Sequence, residues 1–281
     1  MLTAILIITL VTYINKPSLF LIANSMKIQS ILLACFILLS TAFAKGQPAK
    51  HSNIDGLYKF SGNINGSIPV FLWVVVKDSV VKGEVTYLKT AKRTPITVAG
   101  AITKDEGLRL EEFAGDGNIT GIYNGNFNTG KLTGTWSKPG SERELKYSLT
   151  PKDTVLSNID MDLQPVAIGG EYAYLYGKSG ATGSIDIKSI GKNNYLIEIS
   201  SVTESPANNL ADIGTSKVHM YNNTIIYKIS DADCRFKIKV FKGFIVISML
   251  TTNLDNCGFG FDATIEGIYV KTSEKANFYT R

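Results

Sequence analysis

Two histidines, three cysteines and 24 acidic residues are the groups from which this 281-residue chain could build covalent or metal chemistry. Their spacing argues against it. His51 falls in a polar N-terminal leader, and His219 ends a strand just before a Tyr221-Asn222-Asn223 turn. A His-rich zinc site needs more imidazoles than this, and the cysteines are better used as a bridge. No G-x-S-x-G turn presents a nucleophile to His219. Glu111 and Glu112 are neighbours on one strand, so they face opposite sides and cannot make an acid–base pair by themselves. Asp160-Met161-Asp162 and Asp231-Ala232-Asp233 lack the glycine and distal glutamate of a calcium loop, so they read as turns. Gly115-Asp116-Gly117-Asn118 precedes no helix that could turn amides toward a phosphate, and reads as a hairpin. No catalytic residue, metal ligand or cofactor site is assigned. The expectation is a protein that binds and does not catalyse.

Two groups of side chains could do the binding. Phe71, Trp73, Tyr123, Phe127 and Trp136 all fall in the first half of the chain, several beside glycines that let a ring lie across a strand. They are the candidate lining of a ligand cavity, with ordinary core packing as the alternative. Lys228, Arg235, Lys237 and Lys239 form a basic stripe on one sheet face. It is the candidate surface for an acidic partner, with a solvated face as the alternative.

The elements that must position these residues are strands. Cys234, Phe236, Ile238 and Val240 alternate with Arg235, Lys237 and Lys239, the period-two signature of a half-buried strand. Tyr195-Ile197-Ile199 and Ile225-Tyr227-Ile229 repeat the pattern. Eight strands are expected near 56–61, 68–76, 79–88, 95–102, 107–113, 118–127, 131–137 and 143–149. Eight more are expected near 169–176, 182–189, 194–202, 211–219, 223–229, 234–241, 243–250 and 263–271. Short strands separated by Gly, Asn and Asp turns, with no helical crossovers, make antiparallel meanders. Eight such strands can close on themselves and remove their edges. The fold class is therefore all-β: two antiparallel eight-stranded meander barrels in tandem, with sandwiches or half-open rolls as the alternative. The expected division is a leader at 45–55, a first barrel at 56–150, a linker at 151–166, a second barrel at 167–272 and a tail at 273–281. Gly56-Leu57-Tyr58 and Gly170-Glu171-Tyr172 open the halves alike. Pro69–Val76 is apolar on both faces, so it should be covered on both sides.

Residues 1–44 carry no acid and only two lysines. Lys27, the apolar run Ile31–Leu39 and Ala42-Phe43-Ala44 have the order of a signal peptide starting at Met26, with residues 1–25 as an upstream extension. A membrane segment within residues 2–24 is the alternative. The chain is thus expected to be secreted or periplasmic, meeting a membrane only through this segment. Cleavage after Ala44 would remove two of 29 basic residues and leave 24 acids, a net charge of +3. That is too mild a charge to point to nucleic acid. It would also leave two cysteines, Cys234 and Cys257, an even pair expected to be bonded in an oxidising compartment.

Cys234-Arg235-Phe236-Lys237-Ile238, Cys257-Gly258-Phe259-Gly260 and Glu266-Gly267-Ile268-Tyr269 together resemble the β-rich domain of secreted bacterial lysozyme-inhibitor-like (LprI-type) proteins. The likeness covers about 100 residues of the C-terminal half and lacks that group's Cys-rich helical region. It implies a cell-envelope protein partner, such as a wall-degrading enzyme. Leu132-Thr133-Gly134-Thr135-Trp136 more faintly resembles strands of lipocalin-like and avidin-like barrels. That resemblance implies a carrier of a small apolar ligand.

Overall fold

The computed structural model describes residues 54–103, 107–128, 131–155, 168–230 and 232–278. The signal-peptide reading, His51, Asp160, Asp162 and Asp231 lie outside the described residues. Among the described residues sixteen strands are present, each overlapping one expected from the alternation. The first eight are β1 (Gly56–Ile64), β2 (Ile68–Lys77), β3 (Val80–Tyr87), β4 (Ile96–Ile102), β5 (Gly107–Phe113), β6 (Ile119–Asn128), β7 (Lys131–Ser137) and β8 (Leu145–Val155). Each pairs antiparallel with the next, and β1 pairs with β8, closing a barrel. β8 runs past the expected end at residue 149, because Leu57 pairs with Val155 after a register shift beside Tyr58.

The second eight are β9 (Gly170–Leu175), β10 (Thr182–Gly191), β11 (Asn194–Val202), β12 (Leu210–His219), β13 (Thr224–Lys228), β14 (Arg235–Phe241), β15 (Phe244–Met249) and β16 (Gly267–Ser273). Here first and last strands also pair, β9 with β16, but the sheet ends at β12 and β13. The barrel is nearly closed, with a seam between two strands that are consecutive in the chain. Asn222 and Asn223, both with positive φ, make a tight turn in which Tyr221 and Thr224 exchange backbone hydrogen bonds. The strands then part. Gly214 and Thr215 interrupt the register of β12 against β11, and such a bulge bends a strand out of line.

Three features hold the seam. Ser216 and Tyr227 share a 2.8 Å hydrogen bond across it. The Gly260 N–H donates to the Leu210 carbonyl at the start of β12. A Cys234–Cys257 disulfide ties the same loop to the base of β14. The loop between β15 and β16 thus spans the end of the seam, fastened covalently on one side and by hydrogen bonds on the other. The expected cysteine pair is bonded.

The alternation separates two cores. Tyr58, Phe60, Leu72, Val98, Leu110 and Phe127 are among the residues filling the first barrel. Tyr58 meets the edge of Phe127 at 4.9 Å between ring centroids. The second core, built on residues such as Tyr172, Ile197, Phe236 and Tyr269, also takes in Val80, Ala99, Phe113, Ile119 and Ile122 from the outer face of the first barrel. That face is where the barrels join. There the Lys82 ammonium lies 5.1 Å from the Phe244 ring centre and donates to the Lys242 carbonyl.

One local device occurs three times. The hydroxyls of Tyr58, Tyr172 and Tyr269 donate to the carbonyls of Ile54, Ile168 and Ile265, at 2.8, 3.0 and 2.7 Å. The sequence at each place is Ile-x-Gly-x-Tyr, opening β1, β9 and β16. The tyrosine ring fills the core while its hydroxyl pins the incoming chain, so the strand enters the sheet at a fixed angle.

Candidate functional site

Parity of the strands decides which side chains enter the first barrel. On β2, Val70, Leu72, Val74 and Val76 point inward and are fully buried. Phe71 and Trp73 take the alternate positions on the outer face, half-buried, and the Trp73 indole donates to Glu84 at 3.1 Å. Of the five aromatic residues expected to line one cavity, Tyr123, Phe127 and Trp136 belong to the inner set, while Phe71 and Trp73 stand outside it. β2 is apolar on both faces, so its sequence carries no parity signal. Its partners supply the parity: Leu72 lies opposite Phe60, and Val74 opposite Gly83.

Around Tyr123 and Trp136 the barrel interior turns polar. Glu112, on β5, points inward and is only 2% exposed. The Tyr87 hydroxyl donates to its Oε1 at 2.5 Å and the Trp136 indole to the same oxygen at 3.3 Å. Its Oε2 receives only a 3.3 Å bond from the Thr120 hydroxyl. None of these partners is a cation. Burial lifts the Glu112 carboxyl above the ordinary carboxylate range, against the opposing pull of its hydrogen bonds.

Local sequence explains the arrangement. A bulge in β6 places Gly121 opposite Glu112 and Ile119 opposite Phe113, leaving Thr120 as the extra residue. Ile119 and Ile122 therefore both face the second barrel, while exposed Thr120 reaches back to the carboxylate. Gly121 makes the room: a Cβ there would stand 2.5 Å from the Trp136 indole nitrogen and 2.6 Å from Glu112 Oε2.

Two more polar atoms lie in this interior without hydrogen-bond partners, the hydroxyls of Tyr123 and Tyr147. The rings meet edge to face, 5.2 Å between centroids. The Tyr123 hydroxyl approaches Tyr87 and Glu112, whose negative charge together with burial raises its pKa well above the usual phenol value, burial being the larger cause. Its contact with them falls short of hydrogen-bond geometry. The Tyr147 hydroxyl sits one layer deeper, in the space left by the missing side chain of Gly125.

Thr120 also forms part of the wall of a cleft of about 470 Å³ between the barrels. Ile96, Thr97 and Phe113 line it from the first barrel, and Val270 and Lys271 from the second. Its size lies within the range of small-molecule sites. Thr120 is thus shared by the open cleft and the buried carboxylate.

The basic stripe is divided. Lys228 lies opposite Arg235, and Lys237 opposite Ile226, a residue 59% exposed. Lys239 instead pairs with Asp78 of the first barrel at 3.4 Å. His219 is exposed beside Asn194, with no carboxylate or nucleophile among its described partners. Among the described residues, no three His, Cys, Asp or Glu side chains are grouped to hold a metal ion.

Sequence reasoning passed over Glu112. Its signal was present in the Glu111-Glu112 doublet, since one of two adjacent strand residues must face the core. Glu111, facing out, meets the Tyr176 hydroxyl and Arg109 at the join between the barrels. The chain matches no protein-family model, no curated protein and no solved structure.

Proposed function

We propose that this is an exported, non-catalytic binding protein, and that its first barrel takes a small ligand at the Glu112 end. One observation carries the ligand reading: the Tyr123 hydroxyl beside the buried Glu112 carboxylate has no hydrogen-bond partner, nor does the Tyr147 hydroxyl one layer deeper. Buried polar groups are otherwise almost always paired, so orphaned ones mark a place where a bound molecule can complete the set. Export rests on the acid-free, lysine-started apolar segment before residue 45 and on the disulfide.

Native mass spectrometry of protein purified from its own envelope or medium is the test. The expected result is a chain starting at Lys45 that carries an added small mass, lost on denaturation. A chain of bare mass, unshifted in melting temperature by a broad panel of small molecules, overturns the ligand reading.

A second reading has its own support. Exposed Ile226 stands among Lys228, Arg235 and Lys237, an apolar residue ringed by positive charge. Such a patch suits an acidic protein of the envelope, and a lysozyme-inhibitor-like role belongs here. Pull-down from envelope extract with wild type and with an Ile226→Asp, Lys237→Glu variant tests it. A partner retained by both proteins excludes this surface.

A further inference from the structure

Resting on the ligand reading above, we infer that the Glu112 site takes a primary organic ammonium. Its head would sit against Glu112 Oε2 and the Tyr123 hydroxyl, and its apolar tail would lie in the cleft beyond Thr120. The two oxygens of Glu112 are unequal. Oε1 holds the Tyr87 and Trp136 donors, whereas Oε2 has only the long contact from Thr120. A carboxylate only 2% exposed, with no cationic partner among the described residues, lacks the charge that normally accompanies it. A neutral ligand would leave that lack in place, and an anion would worsen it. An ammonium supplies it.

The surrounding groups favour the same ligand. The Tyr123 hydroxyl is fully buried, free of a partner and close to the carboxylate, so its oxygen can accept a second N–H. Access follows from the bulge. Thr120 is exposed, belongs to the cleft wall and makes the single, 3.3 Å bond to Oε2. Rotating its side chain opens Oε2 to the cleft, where Ile96 and Phe113 offer apolar surface to a tail. A primary amine fits better than a quaternary one, because both oxygens call for N–H donors.

The test is calorimetric titration of the exported protein with n-hexylamine, n-hexanol, hexanoate and N,N,N-trimethylhexylammonium. Binding is also followed by the fluorescence of Trp136 in a Trp73→Phe background. Hexylamine is expected to bind at least tenfold more tightly than each of the other three. Glu112→Gln should remove at least tenfold of that affinity. Tyr123→Phe, which changes no charge, should reduce it by a smaller factor while circular dichroism stays unchanged. Hexanol binding as tightly as hexylamine overturns the ammonium assignment but leaves the barrel a ligand site. Preference for the trimethyl compound overturns the role of the Tyr123 hydroxyl and of N–H donation. Hexylamine affinity retained in a folded Glu112→Gln protein places the amine elsewhere and overturns the inference. If none of the four probes binds at millimolar concentration, the inference fails, and the ligand reading is then decided by the mass of the native protein.

Discussion

The Tyr176 hydroxyl, just past the end of β9 in the second barrel, donates to the Glu111 carboxylate on the outer face of the first. Glu111 is 5% exposed, and Arg109 donates to it from the same strand at 2.9 Å. A carboxylate caught at such a join is stabilised only while its donors remain, so the contact links the stabilities of the two barrels.

Replacing Tyr176 by Phe keeps the ring against Tyr174 but removes one donor from Glu111. Loss of a hydrogen bond to a buried charged group costs about 1–3 kcal/mol. The expected outcome is a lower denaturation midpoint, with the two barrels beginning to unfold in separable steps by calorimetry. An unchanged, single transition would show that the apolar contacts of Phe113, Ile119 and Ile122 carry the join without it.

Acid should stabilise this protein through two carboxyls. Burial raises the folded-state pKa of Glu112, and burial first, then the charge of Glu198, raises that of Asp186. A raised folded pKa means that the native state binds the proton more tightly than the unfolded chain does. The stabilisation is complete below the ordinary carboxylate value, about 4, and is lost as pH rises through the folded value. Stability contributed by Glu112 should therefore fall on going from pH 4 toward neutrality. Urea titrations of wild type and Glu112→Gln across this range measure it. The variant should gain on the wild type as pH rises. Parallel curves would mean that Glu112 titrates normally.

The disulfide has a defined territory. Cys234 and Cys257 fasten the loop that reaches the β12 end of the seam through Gly260 and Leu210. Removing a native bridge of this kind typically costs about 2–5 kcal/mol. In a Cys234→Ala, Cys257→Ala variant, hydrogen exchange should accelerate at β12, β13 and the 250–266 loop, with barrel 1 unchanged. Acceleration spread evenly over both barrels would contradict the assignment of the bridge to the seam.

Strand positions were legible because alternation and turn residues coincide along most of the chain, as in Cys234–Phe241 and the Asn222-Asn223 turn. The inside of the first barrel was less so. A strand apolar on both faces, like Pro69–Val76, offers no contrast from which to choose a side, and only its cross-strand partners choose. The bulge at Thr120 shifts parity by one residue, so that Ile119 and Ile122 share a face although an even strand would separate them. The open seam of the second barrel was equally hidden, since β12 and β13 are joined by a turn that looks like any hairpin. The three Ile-x-Gly-x-Tyr segments were visible only in part, because their meaning is a hydrogen bond from side chain to a carbonyl four residues back.

The two tryptophans turn this difference between faces into a measurement. Both lie on strands rich in apolar residues, and both indoles donate to a glutamate, Trp73 to Glu84 and Trp136 to Glu112. Their surroundings differ. The Trp73 ring lies on the outer face, and Glu84 can take a water molecule in its place. Trp136 packs against the first core, and Glu112 is sealed from solvent, so loss of the indole N–H leaves a buried carboxylate one donor short. Trp73→Phe should therefore change stability by less than about 1 kcal/mol, whereas Trp136→Phe should cost about 1–3 kcal/mol. The Trp136→Phe penalty should also grow with pH, because only the ionised form of Glu112 needs every donor. In the Glu112→Gln background that growth should vanish, since no charge remains to be satisfied. Urea denaturation of the five proteins (wild type, the two tryptophan variants, Glu112→Gln and Glu112→Gln with Trp136→Phe) at pH 5 and pH 8 provides the comparison. Equal penalties for the two tryptophan variants, or a Trp136 penalty indifferent to pH, would detach the indole from the carboxylate and leave it as apolar filling alone.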